Sequence, residues 1–236
     1  MRIDTKIGLV LALLGALACG DDGEGGGRVM MTVEVTEVSA DEALEGAEIC
    51  ITSHDGYACA TTDATGFTTM EAPANAEPVF RVTHPRTVPG LMPVTTTSVD
   101  GAFEAEVAEP GLTNILLNLV GITPDATKGN ILVLAGGPMG MSGIGGVTYA
   151  LSPADGEGPF YFDEGAMPDA ELTSTSGSGA AAFANVEPGD YTFSFSGPYG
   201  CDWEIGHGQS ATEATLPVVA GELTIISLED CEELPD

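Results

Sequence analysis

Apolar and polar residues alternate in short runs along most of the chain, a pattern typical of half-buried β-strands. Glycine and proline are abundant, with 32 and 15 residues, and between the runs they favour tight turns. The first half of the sequence therefore predicts seven short strands, at residues 29–38, 47–52, 57–62, 67–71, 79–83, 92–98 and 102–107.

Two tight turns in this half have clear sequence signals. The Asp-Gly pair at residues 55–56 indicates a hairpin, because glycine readily takes the positive φ that such turns need, and residues 63–66 predict a second turn. Cys50 and Cys59 fall nearly opposite each other about the first turn. We therefore expect a disulfide between them that holds the register of the two strands.

Residues 110–121 follow a different period. Leu112, Ile115, Leu116 and Leu119 have helical spacing, and the glycine and proline that follow disfavour a longer helix. This segment predicts a short helix that joins two domains and packs its apolar stripe between them.

The second half of the sequence is a diverged copy of the first. Residues 146–151 match residues 46–51, and residues 175–179 match residues 62–66. The offset grows from 100 to 113 between the two matches, so the copy carries an insertion of about 13 residues near residues 156–169, with an extra strand in it. Further strands are predicted at residues 130–135, 191–196, 215–219 and 223–228.

The repeated motif resembles the carboxypeptidase regulatory-like, or prealbumin-like, family of β-sandwich domains. The resemblance rests on Gly46, Ala47, Ile49, Ile51, Thr61, Thr62, Asp63, Gly66 and Phe67. It implies an all-β fold, with two prealbumin-like or Ig-like β-sandwiches in tandem joined by the short helix. We place the first sandwich at residues 29–109, the connector at 110–128 and the second sandwich at 129–236. Such domains accompany many unrelated proteins, so the resemblance says little about function.

The N-terminus carries an export signal. Arg2 and Lys6 precede an apolar run at residues 7–17 that is too short to span a bilayer. Residues 16–18 fit ordinary signal peptidase, and the same residues followed by Cys19 resemble a bacterial lipobox.

The lipobox predicts a signal peptide at residues 1–18, a diacylated Cys19 and a flexible linker up to residue 28. Gly20 stands where an aspartate would retain a lipoprotein at the inner membrane, so we expect lipid anchoring in the cell envelope, at the outer membrane of a Gram-negative bacterium. Once Cys19 is acylated, an even number of cysteines remains in an oxidising compartment, which predicts the pairs Cys50–Cys59 and Cys201–Cys231.

The charge balance is strongly acidic, with 36 acidic against 6 basic residues. Such a surface repels phosphate backbones and anionic headgroups, so we expect no nucleic acid partner and no membrane contact other than the lipid. The same charge keeps a protein soluble and predicts a monomer.

Candidate catalytic and metal-binding residues are sparse. His54, His84 and His207 lack ligand spacing and are expected to be solvated turn residues, and no G-x-S-x-G nucleophile motif occurs. Met139 with Met141 as a Cu(I) pair, and the acidic pairs at residues 163–164 and 229–230 as calcium ligands, are the less favoured alternatives. We expect no catalytic residue, no bound metal and no cofactor.

The sequence therefore predicts a non-catalytic cell-envelope lipoprotein that presents two β-sandwich modules for binding or structural support, with an envelope protein or a glycan as partner. The alternative is an accessory carbohydrate-binding protein whose loop aromatics Tyr161, Tyr199 and Trp203 form the contact surface, since exposed aromatic rings stack on sugars.

Overall fold

The computed structural model describes residues 27–38, 40, 42–136 and 143–233, and within these ranges the chain is all-β with one short helix, as predicted. The first repeat comprises β1 (Arg28–Glu37), β2 (Glu42–Ala43), β3 (Glu48–Ile51), β4 (Ala60–Thr61), β5 (Phe67–Pro73), β6 (Val79–Thr83), β7 (Gly90–Pro93) and β8 (Gly101–Val107). The connector holds α1 (Pro110–Leu119). The second repeat comprises β9 (Gly129–Ala135), β10 (Thr148–Ser152), β11 (Glu157–Phe162), β12 (Pro168–Asp169), β13 (Ala181–Val186), β14 (Gly189–Ser196), β15 (Tyr199–Ile205), β16 (His207–Ser210), β17 (Glu213–Val218) and β18 (Leu223–Glu233).

The same strand arrangement occurs in both repeats. β1 lies between antiparallel β5 and parallel β8, just as β9 lies between antiparallel β13 and parallel β18. The order β3-β6-β7 in the first repeat corresponds to β10-β14-β17 in the second. The additional strands β11, β12, β15 and β16 belong to the second repeat, so its copy of the fold is the more elaborate one.

Turn hydrogen bonds are also repeated. The amide of Ala47 donates to Thr62 Oγ1 at 2.9 Å, and the amide of Val147 donates to Thr175 Oγ1 at 3.0 Å. Both threonines are buried, so each hydroxyl satisfies a backbone group that water does not reach. The matched sequence positions therefore have matched structural roles.

The two repeats share one large sheet. β18 pairs in parallel with β9 along residues 223–228, and at its start it also pairs in parallel with β7, with Leu223 opposite Gly90 and Thr224 opposite Leu91. A ten-stranded sheet results, and it contains strands of both repeats. Backbone hydrogen bonds, and not only a linker, therefore join the repeats.

The hydrophobic core follows this sheet across the junction. One buried cluster combines side chains of the first repeat, such as fully buried Phe80 and Val82, with residues of the second. The contributors from the second repeat are Leu132, Leu134, Phe162, Ala180, Ile205, Leu223 and Ile225. A second cluster lies within the second repeat and includes Ile226. Consecutive residues of β18 thus point into different cores, because side chains alternate between the faces of a strand.

Helix α1 has the predicted position, but its buried face differs from the predicted one. Ile115 and Leu119 are 59% and 56% exposed, while Leu117 is buried. The helix is rotated about its axis so that Leu116 and Leu117 face the sheet. The spacing of apolar residues predicts an apolar face, but it does not determine which residues of that face are buried.

Several strand boundaries also differ from prediction. The returning strand predicted at 57–62 is only β4, and the one predicted at 92–98 is β7, which ends at Pro93 because the chain then leaves the ladder. There Thr96 Oγ1 donates to Pro73 O at 2.5 Å. β13, β15 and β16 were not predicted.

Candidate functional site

Both predicted disulfides are present. Cys50 bonds to Cys59 and joins β3 to the segment before β4, and Cys201 bonds to Cys231 and joins β15 to β18. Each bond ties neighbouring strands together, which fits a role in holding strand register. Cys19, which is predicted to be lipidated, and the Met139–Met141 pair lie outside the described residues.

The predicted aromatic contact surface is not formed. Tyr161 is only 3% exposed, and its hydroxyl accepts the amide N–H of Tyr149 at 3.1 Å. The row of rings continues from Tyr149 to Phe193 at 5.3 Å and from Phe193 edge-to-face to Trp203 at 6.0 Å. Burial raises the pKa of the Tyr149 hydroxyl, which donates to Gly179 O. The row is part of the second core.

Trp203 lies on glycines rather than on an open surface. Its indole Nε1 donates to Ser210 O at 2.7 Å, and a Cβ on Gly206 or Gly208 would come within 2.8 or 2.6 Å of the ring. The expectation that Tyr161, Tyr199 and Trp203 form one sugar-contacting surface is therefore wrong: Tyr161 is buried, and half-buried Tyr199 and Trp203 pack against the second core.

The three histidines have different environments. His54 Nδ1 lies 2.9 Å from Ser53 Oγ on the first hairpin, and His84 Nδ1 lies 3.3 Å from the amide of Arg86. His207 was expected to be solvated, but it is 8% exposed, and its Nε2 lies 3.1 Å from Pro78 O of the first repeat. His207 is thus a packed residue of the junction.

An apolar cavity of about 50 Å³ lies beneath α1. It is lined by Val38 and Ala108 of the first repeat, by Leu116 of the helix, and by Phe160 and Leu132 of the second repeat. The helix thus covers a seam between the repeats. The volume is far below the roughly 300–1,000 Å³ of pockets that hold drug-sized ligands, so this cavity is a packing gap.

An acidic cleft lies where β8 meets β15 and β18. Glu104, Glu106, Glu204 and Glu229 line a cavity of about 30 Å³ there. Glu204 Oε1 accepts the backbone N–H of Glu104 at 3.0 Å. Burial first, and then the neighbouring carboxylate of Glu204, raise the pKa of Glu229. No group of three or more His, Cys, Asp or Glu suited to a metal ion occurs in the described part of the chain.

Replacing Glu229 with glutamine should stabilise the fold at pH 7 by about 0.5 kcal/mol, because burial and the like charge of Glu204 in the acidic cleft both disfavour the ionised carboxylate. A carboxyl whose pKa is raised in the folded state weakens folding when it ionises, and the loss is absent below the usual glutamate pKa. The variant and the parent should therefore converge as pH falls toward that value. Denaturant unfolding at a series of pH values measures the stabilisation at pH 7 and the convergence at lower pH.

The control for Glu229→Gln is Glu232→Gln, which lies opposite uncharged Gly200 and should leave stability nearly unchanged. A Glu229→Gln protein that is less stable than the parent at pH 7 would contradict the repulsion.

Every basic side chain in the described ranges is paired with a glutamate. Arg28 contacts Glu71, Arg81 contacts Glu222, Arg86 contacts Glu42 and Lys128 contacts Glu187. The Arg81–Glu222 pair, at 2.8 Å, crosses the junction between the repeats. The surplus acidic groups therefore dominate the charge that the described surface presents to a partner.

The edge of β10 is the feature that sequence reasoning missed. β10 pairs only with β14 among the described strands, and an open depression of about 490 Å³ lies beside it. The alternating residues 148–152, uncharged throughout, were a signal for such an edge, but only the topology shows which side of the strand is open.

Among the described residues, no helix has both the length and the apolar character needed to cross a bilayer. No family model matches the sequence, and no curated protein matches it. The resemblance to carboxypeptidase regulatory-like domains therefore stays a resemblance.

Several solved structures are distantly similar to this chain. The Bacillus anthracis TIE protein is 10% identical, with a TM-score of 0.27 over 86% of this chain and 34% of its own. The minor pilin GBS52 of Streptococcus agalactiae is 13% identical, with a TM-score of 0.28 over 88% and 97%. The shaft pilin SpaA of Lactobacillus rhamnosus GG is 13% identical, with a TM-score of 0.26 over 88% and 99%. These similarities are too distant to support an argument about function.

Proposed function

We propose that the chain is a non-catalytic lipoprotein of the cell envelope whose two repeats form one rigid module for binding or structural support. The observation that carries the proposal is the pairing of β18 with both β9 and β7, which places strands of both repeats in one sheet. A shared core and the Arg81–Glu222 ion pair accompany this pairing. Such a body resists bending between its halves, which suits a spacer or a platform.

The proposed anchor is Cys19, carried by a linker that reaches β1 at Arg28. β1 has 10 residues, so at about 3.4 Å per residue it extends roughly 34 Å from the tether. Val38, which follows β1, lines the cavity beneath α1, so the helix lies at the end of β1 remote from the lipid. In this arrangement the α1 end of the body lies farther from the point of attachment than the start of β1 does.

The proposed partner is an envelope protein. In this proposal the module is a monomer and binds no nucleic acid. The surplus of acidic over basic residues favours cationic groups on that partner. The carbohydrate alternative loses its basis, because Tyr161 is buried and half-buried Trp203 packs against the second core.

Replacing Cys19 with serine should move the mature protein from the membrane fraction to the soluble fraction, because no lipid can then be attached. Fractionation of envelopes followed by immunoblotting measures this. The double variant Cys50→Ser, Cys59→Ser is the control and should stay in the membrane fraction, since those cysteines pair with each other. Membrane recovery of the Cys19→Ser protein would refute the anchor.

A further inference from the structure

Strand β10 has an outer edge that β14 does not use. In an antiparallel pair, every second residue directs its N–H and C=O away from the neighbouring strand. Tyr149 is such a residue, since its N–H donates to the Tyr161 hydroxyl instead of to β14. Leu151 has the same parity, so its backbone N–H and C=O also point outward, and neither has a hydrogen-bond partner among the described residues.

The open depression of about 490 Å³ lies beside this edge, and Leu151 is part of its lining. Its lining includes Tyr149, Leu151, Asp155, Gly158 and Pro159, and it combines polar and apolar surface. The volume lies within the range of ligand sites in proteins, about 300–1,000 Å³. The depression therefore has room for a segment of extended chain beside the strand.

The first repeat shows that a strand fits on this edge. β3 is the counterpart of β10, and β4 runs along its outer side with Ile49 opposite Ala60. In the second repeat the corresponding segment lies beside β10 only at Thr175, whose backbone N–H donates to Val147 O at 2.8 Å. No described strand continues along β10 beyond that point.

The side chains of β10 do not protect this edge. Thr148, Ala150 and Ser152 are exposed and uncharged, whereas natural edge strands are usually blocked by charges, prolines or bulges. Other strands with a single partner do carry such groups, for example β5 with Glu71, β12 with Pro168 and β15 with Asp202, whereas β4 and β16 are uncharged like β10 but shorter. β10 is therefore suited to accept a further strand.

The charge around the edge selects the occupant. Asp155 lines the depression, and Glu157 begins β11 two residues further along the chain. All described basic residues are engaged in ion pairs, and the chain carries a net charge of −30. A second copy would bring the same negative charge, whereas a peptide with lysine or arginine gains attraction.

We propose that β10 binds an extended, lysine- or arginine-bearing peptide segment of a partner protein by strand addition. Backbone hydrogen bonds to Leu151 supply the affinity, and the acidic surroundings supply the preference for cations. This inference rests on the proposed role as a binding module and names the chemistry of its partner.

The probe is a short capped peptide of alternating lysine and valine, added to the full-length Cys19→Ser chain. Amide hydrogen exchange read by NMR should show slower exchange at Leu151 when the peptide is bound. The same peptide with N-methylated backbone amides, and one with glutamate in place of lysine, are the matched controls and should not bind.

Two substitutions of opposite charge at Ala150 test whether the peptide binds along β10. Ala150→Lys should raise the Kd for the cationic peptide about two- to fivefold, and Ala150→Glu should lower it by a similar factor, because cross-strand charge pairs have about this effect. Both side chains point to solvent, so both variants should keep the parent's unfolding midpoint.

Three results would overturn the proposal: no binding at millimolar peptide, binding that N-methylation does not affect, or a Kd that both Ala150 variants leave unchanged. Protection of Leu151 that appears without peptide, together with a doubled mass in solution, would assign the edge to a second copy and reject the cationic peptide. Fractionation and cooperative unfolding test the anchor and the single rigid body separately, so they distinguish failure of this inference from failure of the proposed function.

Discussion

Replacing Ile226 with alanine should lower the free energy of unfolding of both repeats together, by about 2–5 kcal/mol. Ile226 is fully buried in the core of the second repeat, so truncation removes packed methyl groups and leaves a cavity. The first repeat does not contact this site through its own core. It should nevertheless be destabilised equally, because β18 pairs with β7 and the two repeats then unfold as one unit.

Hydrogen exchange at single amides measures this coupling. In the Ile226→Ala protein, the amides of Val33 and Val82 in the first repeat should lose as much protection as the amide of Ile131 in the second. Ile225→Ala is the matched control: Ile225 is the neighbouring residue, equally buried, and lies in the core that both repeats share. In the Ile225→Ala protein, the loss of amide protection should likewise be spread over both repeats. Loss of protection confined to the second repeat of Ile226→Ala would show that the repeats unfold independently.

The local features of the fold were predictable because their causes are local. The turn at residues 63–66 is specified by Asp63, whose carboxylate accepts the amides of Thr65 and Phe67. These hydrogen bonds lower the pKa of Asp63, led by the bond from the Thr65 hydroxyl. Residues 163–167 form the same turn, with Asp163 Oδ1 accepting the amides of Gly165 and Met167. Short-range chemistry of this kind can be read from neighbouring residues.

The junction was not predictable from local pattern, because it depends on which strands meet. Residues 223–228 were predicted as a strand of the second repeat. The run Leu-Thr-Ile-Ile-Ser-Leu is apolar at four of its six positions, including the adjacent Ile225 and Ile226. Such a run is typical of a parallel strand covered on both faces, and β18 is one. The sequence therefore indicated burial on both faces, but not that β7 of the other repeat would pair with it.

The positions of the aromatic side chains could not be predicted from the sequence, for a different reason. Tyr161, Tyr199 and Trp203 were grouped because large rings in predicted loops can bind sugars. The insertion that carries Tyr161 is strand β11, and its ring points to the core, where its hydroxyl caps the β10 edge at Tyr149. The sequence predicts a strand in this insertion, but only the register of that strand decides whether the Tyr161 ring points to the core or to solvent.

Replacing Trp203 with alanine should destabilise the protein by about 2–3 kcal/mol, somewhat less than the cost of removing a fully buried aromatic side chain, because the ring is half-buried. The ring packs edge-to-face on Phe193 and lies within 5.9 Å of Phe195, and the glycines at 206 and 208 leave the space that it fills. Removing it takes away these ring contacts and leaves Ser210 O without its donor. Denaturant unfolding followed by circular dichroism gives the loss.

Trp203→Phe separates packing from hydrogen bonding. Phenylalanine keeps most of the ring but lacks the indole N–H, so the variant should lose only about 1 kcal/mol, the net value of one hydrogen bond. A surface tryptophan that stacks on sugars would behave differently: Trp203→Ala would keep the parent's stability and lose glycan binding. An unchanged unfolding midpoint in Trp203→Ala would therefore restore the carbohydrate hypothesis, whereas a large loss in Trp203→Ala with a small one in Trp203→Phe assigns the ring to the core.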